Sequence, residues 1–386
     1  MAGEKEIWVA AFDMLITQLD GVLIELRREL GNTAVSHGAR SSQVAVLKAR
    51  IDETKAQRDK AAAELERVNA QIAAGVTVAP SLPAEPKPAR KKKEPGTTTR
   101  AELKLIDASA KIMGAPPEGE DMAFTHSVLC QVGLPRSKFD GREFMRQSGA
   151  AWINVQAGWL DEGNGPVQQP IPYGALPRLA SAWINTQAVR TKEREIQIGN
   201  SASDFLRLLG KPTTGGKRGS FSTLRQQMHA FAACRLQLGF KGRTYNGQPV
   251  EQFDAWLTNK DTGQQALWPG VMVLSEGYFR SLLESAVPLD NRALMALGDS
   301  ALALDVYAWL AHRLHRIEGR GVLLHWKSLR EQFGQDNVGK NAADTFKESF
   351  LAQLKKVLAV YPQAKVKQVT GGLLLIGSPP PIPYKG

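Results

Sequence analysis

One order of elements is written twice along this chain, and the repetition limits the fold more than any single motif. The first copy opens with an amphipathic helix over 176–190 carrying Leu179, Trp183, Ile184 and Val189. A short strand follows at 195–198, then a helix over 202–209 with Ser201 as its N-cap and Gly210 as its stop. After the loop KPTTGGKRG, a longer helix over 221–234 places Phe221, Leu224, Met228, Phe231 and Ala232 on one face. RLQLGF and RTYN then read as a hairpin turning at Lys241-Gly242. The second copy has helices near 276–285 and 291–297 and a strongly apolar one over 301–317. It continues with a strand at 322–326, a short helix over 327–333 ending at Gly334, a long helix over 341–359 and a hairpin about Gly371-Gly372.

Helix, strand, helix, loop, helix, hairpin is the order of a winged helix. The third helix of that fold lies in the DNA major groove, with the hairpin adding contacts beside it. The expected class is therefore α+β, with two tandem winged-helix domains over 101–250 and 251–386. Before them, residues 1–74 read as a helical, coiled-coil-like arm. One helix covers 5–30, with Gly31 and Asn32 as stop signals. The next, over 41–74, has a seam at Val44, Leu47, Ile51, Thr54, Arg58, Ala61, Leu65, Val68 and Ile72 in steps of three and four. A helical hairpin, an oligomerisation arm and a loosely ordered charged helix are all compatible with that seam. Residues 75–100 form a Pro/Lys-rich linker. Its run Arg90-Lys91-Lys92-Lys93 reads either as a solvated tether or as a non-specific phosphate contact.

Charge points to the partner. The formal net charge is +11, and residues 205–250 carry eight Lys/Arg and no Asp or Glu. An acid-free face on a folded element meets a polyanion most simply. A bilayer-spanning helix needs about 20 apolar residues, which no run here approaches, and Glu4 and Glu6 stand where a signal peptide has basic residues. The expectation is a soluble cytoplasmic protein without a membrane partner. The two cysteines, Cys130 and Cys234, are too few for a four-ligand zinc site and read as buried thiols.

In the first repeat the candidate DNA contacts are Lys217 and Arg218 before the third helix, Arg225 and Gln226 in its N-terminal half, and Lys241 and Arg243 at the wing tip. Cations and free N–H groups at a helix start hold phosphates. Arginine pairs with guanine and glutamine with adenine in the major groove. In the second repeat they are Arg330, Lys340, Asn341, Lys347 and Lys355, diluted by Asp336, Asp344 and Glu348. A solvated surface is the plainer reading of each. GGKR at 215–218 is not a phosphate loop, because position 211 is Lys and position 218 is Arg. His312 and His315 lack further ligands for a metal, and Tyr307 sits in an apolar helix as packing. No catalytic constellation, cofactor motif or metal site stands out, so a binding protein is expected rather than an enzyme.

Several phrases resemble the plasmid replication initiator family called RepA. They are HSVLCQVGLPRS at 126–137, PYGALPRLASAWINTQAVRT at 172–191, AVPLDNRALMAL at 286–297, SALALDVYAWLAHRLHRI at 300–317, WKSLREQFG at 326–334, VLAVYPQAKV at 357–366 and GGLLLIGSPPP at 371–381. The resemblance covers about residues 120–382. It implies two winged-helix domains on repeated double-stranded origin sites, local strand opening, and recruitment of a host replication initiator and replicative helicase. It also implies exchange between a homodimer and an origin-binding monomer. The acidic loop and helix over 334–350 depart from the more arginine-rich family pattern. A repressor using the same fold, a relaxase or primase, and an oligomerising scaffold built on the N-terminal helices are the alternatives.

Overall fold

The computed structural model describes residues 2–37, 42–73, 99–163, 165–199, 201–216, 219–253, 270–334 and 341–383. The run Arg90–Lys93 and three of the proposed contacts, Lys217, Arg218 and Lys340, lie outside them. The chain divides into two units, Met1–Thr97 and Thr98–Gly386.

The first unit contains helices α1 (Ala2–His37) and α2 (Ser42–Ala73), which pack on each other. Leu19, Leu23 and Leu26 of α1 and Val44, Leu47 and Ala61 of α2 are buried. The other seam positions whose side chains are described, Ile51, Thr54, Arg58 and Leu65, are half-buried. Arg58 is tolerated in the seam because its Nε donates to Asp20 Oδ1 of α1 at 3.2 Å. Contrary to the expected stop, α1 runs through Gly31 and Asn32. One glycine costs a helix interior about 1 kcal/mol, too little to end a long packed helix.

The second unit opens with α3 (Arg100–Gly114), whose start is closed by a reciprocal Thr99–Glu102 capping box. Strand β1 (Met122–His126) leads into the short α4 (Ser127–Gln131). Then come β2 (Glu143–Ser148), β3 (Ala151–Gln156), and a two-stranded ribbon of β4 (Trp159–Asp161) and β5 (Pro166–Gln168). The first repeat follows as α5 (Ala175–Thr191), β6 (Glu195–Gln197), α6 (Ala202–Leu208) and α7 (Ser220–Ala233). After it come β7 (Arg235–Phe240), β8 (Arg243–Gly247), β9 (Val250–Phe253), β10 (Val271–Leu274) and α8 (Glu276–Ser285). Strand β11 (Ala286–Asp290) and α9 (Asn291–Leu297) lead to the second repeat. That repeat is α10 (Ala301–Leu314), β12 (Val322–His325), α11 (Trp326–Phe333), α12 (Ala342–Val360), β13 (Lys365–Val369) and β14 (Gly372–Ile376).

Strand pairing corrects one expectation. The hairpin β7–β8 does not join the strand that precedes α6. It extends β2 and β3 into an antiparallel sheet of order β2-β3-β7-β8. Opposite Leu236 and Leu238, β3 supplies Val155 and Ile153, and all four are buried. Matching apolar faces decides such a pairing. Strand β6 instead pairs with β10, which pairs with β9. In the second repeat β12 pairs with β14, which pairs with β13. Both repeats thus share one order, with the first strand beside the last strand of a hairpin. The expected division at residue 250 falls inside β9.

The two repeats share one hydrophobic cluster running from Ile153 and Phe205 to Trp309 and Leu375. Strand β1 pairs with β11 across the chain, Met122 opposite Asp290 and His126 opposite Ala286. At the centre, Arg178 of α5 meets Asp305 of α10, each side chain only 10% exposed. Gly133 is required beside them: a Cβ there would lie 2.7 Å from Asp305 Oδ1.

Candidate nucleic-acid interface

Helix α7 is embedded more deeply than its amphipathic pattern suggests. From Gln227 through Ala233 every residue is buried, so solvent reaches only its N-terminal half. Ser222, Thr223 and Gln226 are exposed there, and Phe221 and Arg225 are half-buried. The loop entering the helix is tied by Thr214 and Ser220, each backbone N–H donating to the other's hydroxyl at 2.8 and 3.0 Å. Gly219 is the N-cap, and a Cβ there would lie 2.3 Å from the Gly215 carbonyl oxygen.

Arg225 is held from the side. Its Nη2 donates to Glu162 Oε2 at 3.2 Å, and the other carboxylate oxygen, Oε1, meets His229 Nδ1 at 3.1 Å. Gln169 Nε2 donates to the same Oε1 at 2.8 Å. Glu162 lies in the turn joining β4 to β5, where Asp161 Oδ1 accepts the N–H groups of Gly163 and Gly165. Burial pushes the Glu162 carboxyl up. The hydrogen bonds from His229 and Gln169 and the charges of His229 and Arg225 outweigh it, leaving the pKa below the usual carboxylate range. For His229 burial dominates and pushes the imidazole down against the pull of Glu162. Within the acid-free run over 205–250, Arg225 therefore receives its countercharge from a ribbon 63 residues upstream, which no local reading of charge reveals.

Lys241 and Arg243 are exposed at the β7–β8 turn, away from β6. Lys241 and Gly242 have φ of 47° and 83°, the positive values that a tight two-residue hairpin turn uses. Arg243 Nη2 pairs with Glu284 Oε2 at 2.6 Å, pinning this hairpin to α8. The expected placement of both residues at a wing tip is thus corrected: long-range pairing with β3 took this hairpin into another sheet.

In the second repeat a groove of about 480 Å³ separates α11 from α12, lined by Trp326, Lys327, Arg330, Glu331, Gly334, Ala343 and Phe346. Arg330 is exposed in it. Lys347 Nζ stands 5.5 Å from the centroid of the Trp326 ring, a cation–π contact that holds α12 to the start of α11. Asn341 is the N-cap residue of α12 but its side chain makes no cap hydrogen bond. Asp344, Glu348 and Lys355 are exposed along α12. Lys327 was missed from sequence, although its i, i+3 spacing from Arg330 puts the two on one face of α11.

Both cysteines are free and buried. Burial raises both thiols, that of Cys234 to about 12. The Tyr307 hydroxyl accepts the Asp290 backbone N–H at 3.0 Å, and burial raises its pKa. Among the described residues no cluster of three His, Cys, Asp or Glu suits a metal, and no helix is long and apolar enough to cross a membrane.

Neither a curated protein nor a solved structure matches the chain. Residues 171–327 match the model of a family described as plasmid encoded RepA protein, a span from just before α5 to the first turn of α11. It includes α7, both partners of the Arg178–Asp305 pair and the whole β6-β10-β9 sheet. Over this segment the chain is similar to the plasmid encoded RepA family.

Proposed function

We propose that the chain initiates plasmid replication by binding repeated duplex sites at an origin through two winged-helix modules. The observation that carries this reading is the repeated sheet order, β6-β10-β9 and β12-β14-β13, each beside a helix pair, in a chain similar to the RepA family. In the first module α6 and α7 form the helix pair, β9–β10 is the wing, and the N-terminal half of α7 faces the bases. In the second, α11 and α12 form the pair and β13–β14 is the wing.

Gln226 and Arg225 read bases in this scheme. Arg330, Lys347 and Lys355, with Lys217, Arg218 and Lys340, contact backbone phosphates or neighbouring base edges, and Asn341 lies at the entry to α12. Lys241 and Arg243 serve a flank of the first module instead of its wing. Opening of the origin, recruitment of host replication proteins and a dimeric storage form complete the proposal, in which the chain acts as a binder and carries no catalysis of its own.

The test is fluorescence anisotropy with duplexes tiled across the DNA flanking this protein's gene, with scrambled duplexes beside them at two salt concentrations. Tight, selective binding to repeated segments is expected. Equal binding to every duplex would reduce the protein to a general polyanion binder. Magnesium- or manganese-dependent cleavage or primer synthesis by the purified chain would replace the proposal with an enzymatic one.

A further inference from the structure

The C-terminal end of α10 carries a second concentration of positive charge that the sequence reading did not single out. The charge rests on Arg313 and Arg316, three residues apart at the helix end, and on Arg320 in the connection to β12; His312 and His315 lie beside them without adding to it. A groove of about 350 Å³ opens here, lined by Gln131, Trp309, His312, Arg313, Arg316, Ile317, Glu318 and Val322. Arg313 is half-buried, its guanidinium 5.9 Å from the centroid of the Trp309 ring. Among the described residues no carboxylate forms an ion pair with Arg313, Arg316 or Arg320; Arg316 Nε instead contacts His315 Nε2 at 3.3 Å. Glu318 is the one acid among the lining residues and is likewise unpaired.

Basic residues at a helix C-terminus ordinarily serve its exposed carbonyls. Here three of those carbonyls are already taken. The Ala311 oxygen meets His315 Nδ1 at 2.9 Å, and the Arg313 oxygen accepts the Arg316 N–H at 3.1 Å. The Leu314 oxygen accepts the N–H groups of Ile317 and Ser378 at 3.2 and 3.3 Å. The guanidiniums are left facing the groove, and the crowding has a cost. Burial, with Arg316, His315 and Arg313 around it, pushes His312 down to about 4, and burial lowers Arg313 as well. Uncompensated like charge held together in a concavity is the mark of a site awaiting an anion.

We propose that this groove binds the phosphodiester backbone of nucleic acid, Arg313 and Arg316 supplying the contacts. Guanidinium groups match phosphate oxygens in paired geometry. A protein partner would require an apolar anchor, and the aromatic side chain here, Trp309, is 1% exposed beneath Arg313. The site is distinct from the α11–α12 groove. It lies at the end of β12 where Val322 pairs with Leu375, whereas the β13–β14 turn lies at the other end, where His325 pairs with Gly372. The inference rests on the nucleic-acid reading above but not on its sequence selectivity, since phosphate contacts carry no sequence information.

The experiment measures anisotropy of a labelled duplex and of one of its strands against the full chain across a salt series. It compares the wild type with Arg316→Gln, Arg313→Gln/Arg316→Gln and Arg316→Lys. The double variant should lower the slope of log affinity against log salt by about two on duplex, or by somewhat less on single strand. The loss should be equal for selected and scrambled sequences. Arg316→Gln, at an exposed position, should lose about half as much, and Arg316→Lys should retain the wild-type slope. An unchanged slope on both probes, with the wild type binding, overturns the proposal. So does loss of binding to polyglutamate with DNA binding intact, which would assign the groove to an acidic protein. If the wild type binds without selectivity and the slope still falls, the origin reading fails while the groove stands.

Discussion

Removal of the Asp305 carboxylate should unfold the second unit more readily than any other single polar change. All five N–H donors of Arg178 are engaged. Nε donates to Asp305 Oδ1 at 2.6 Å and Nη2 to Oδ2 at 2.8 Å. Nη1 donates to the Pro135 and Gly174 oxygens at 3.1 and 2.6 Å, and Nη2 to the Leu134 oxygen at 2.6 Å. Asp305→Ala leaves a buried guanidinium without its countercharge and strips two of its five donors. Breaking a buried pair from one side costs about 3–5 kcal/mol. The three surviving carbonyl bonds put this case near the lower figure, about 3 kcal/mol, or a midpoint drop of about 5 °C for a unit of this size.

The pair Arg178→Met/Asp305→Leu removes both charges but also the Arg178 hydrogen bonds to the Leu134, Pro135 and Gly174 oxygens, so it should recover only part of that loss. Thermal and urea denaturation of the full chain, followed by circular dichroism, measures all three proteins. A midpoint shift under about 2 °C for Asp305→Ala would refute the reasoning, as would a double variant no more stable than the single one.

Other consequences are open to the same kinds of measurement. Gly133→Ala should destabilise by about 1–3 kcal/mol through overpacking against Asp305, and by clearly less in an Asp305→Ala background; equal losses in both would separate the two residues. His126 and His312 are both pushed down to about 4, the first by burial and the second by burial plus its cationic neighbours. Depressed folded values mean that their contribution is complete above the unfolded pKa near 6.5 and declines as the pH falls toward 4. Stability should accordingly fall over that window, by up to about 3 kcal/mol per histidine, and His312→Gln should flatten the fall; a flat profile in the wild type would contradict this. Arg225→Ala should weaken binding to a selected repeat by about 1–3 kcal/mol with little change on scrambled DNA, and an equal loss on both would reassign it to phosphate. Lys241→Gly should stabilise by roughly 0.5–1 kcal/mol by relieving a left-handed backbone, measured by urea denaturation; destabilisation would mean that the cation–π contact of Lys241 Nζ, 5.5 Å from the centroid of the Phe240 ring, outweighs the strain.

What was legible in the sequence were features set by neighbours in the chain. The repeated helix order, the Ser201 cap, the Lys241-Gly242 turn and the α2 seam all depend on residues a few positions apart. Features decided by distant partners were not legible. The same alternation in RLQLGF suits a wing or an added strand, and only Ile153 and Val155, more than eighty residues upstream, settle which. The countercharge of Arg225 comes from Glu162, and that of Arg178 from Asp305, 127 residues downstream. A cation and an acid far apart in sequence carry no signal of their pairing. Arg313 and Arg316 were visible as residues, but their lack of partners is a property of the folded surface.

The shared core bears on how the two repeats would work together. Separate winged-helix modules on a flexible linker would engage two half-sites by effective concentration and would tolerate varied spacing. Here β1 pairs with β11, α3 packs on both α9 and α12, and Arg178 locks α5 to Asp305 of α10 in a single hydrophobic cluster. Moving one repeat relative to the other would expose apolar surface and break a buried ion pair, a change of several kcal/mol. Within this unit the spacing between α7 and α12 is therefore a property of the fold, and under the proposed function a repeated DNA site would have to conform to it. The embedding of α7 follows from the same design. Its C-terminal half serves the core that fixes the spacing, and its N-terminal half stays exposed, as the proposed contact with DNA requires.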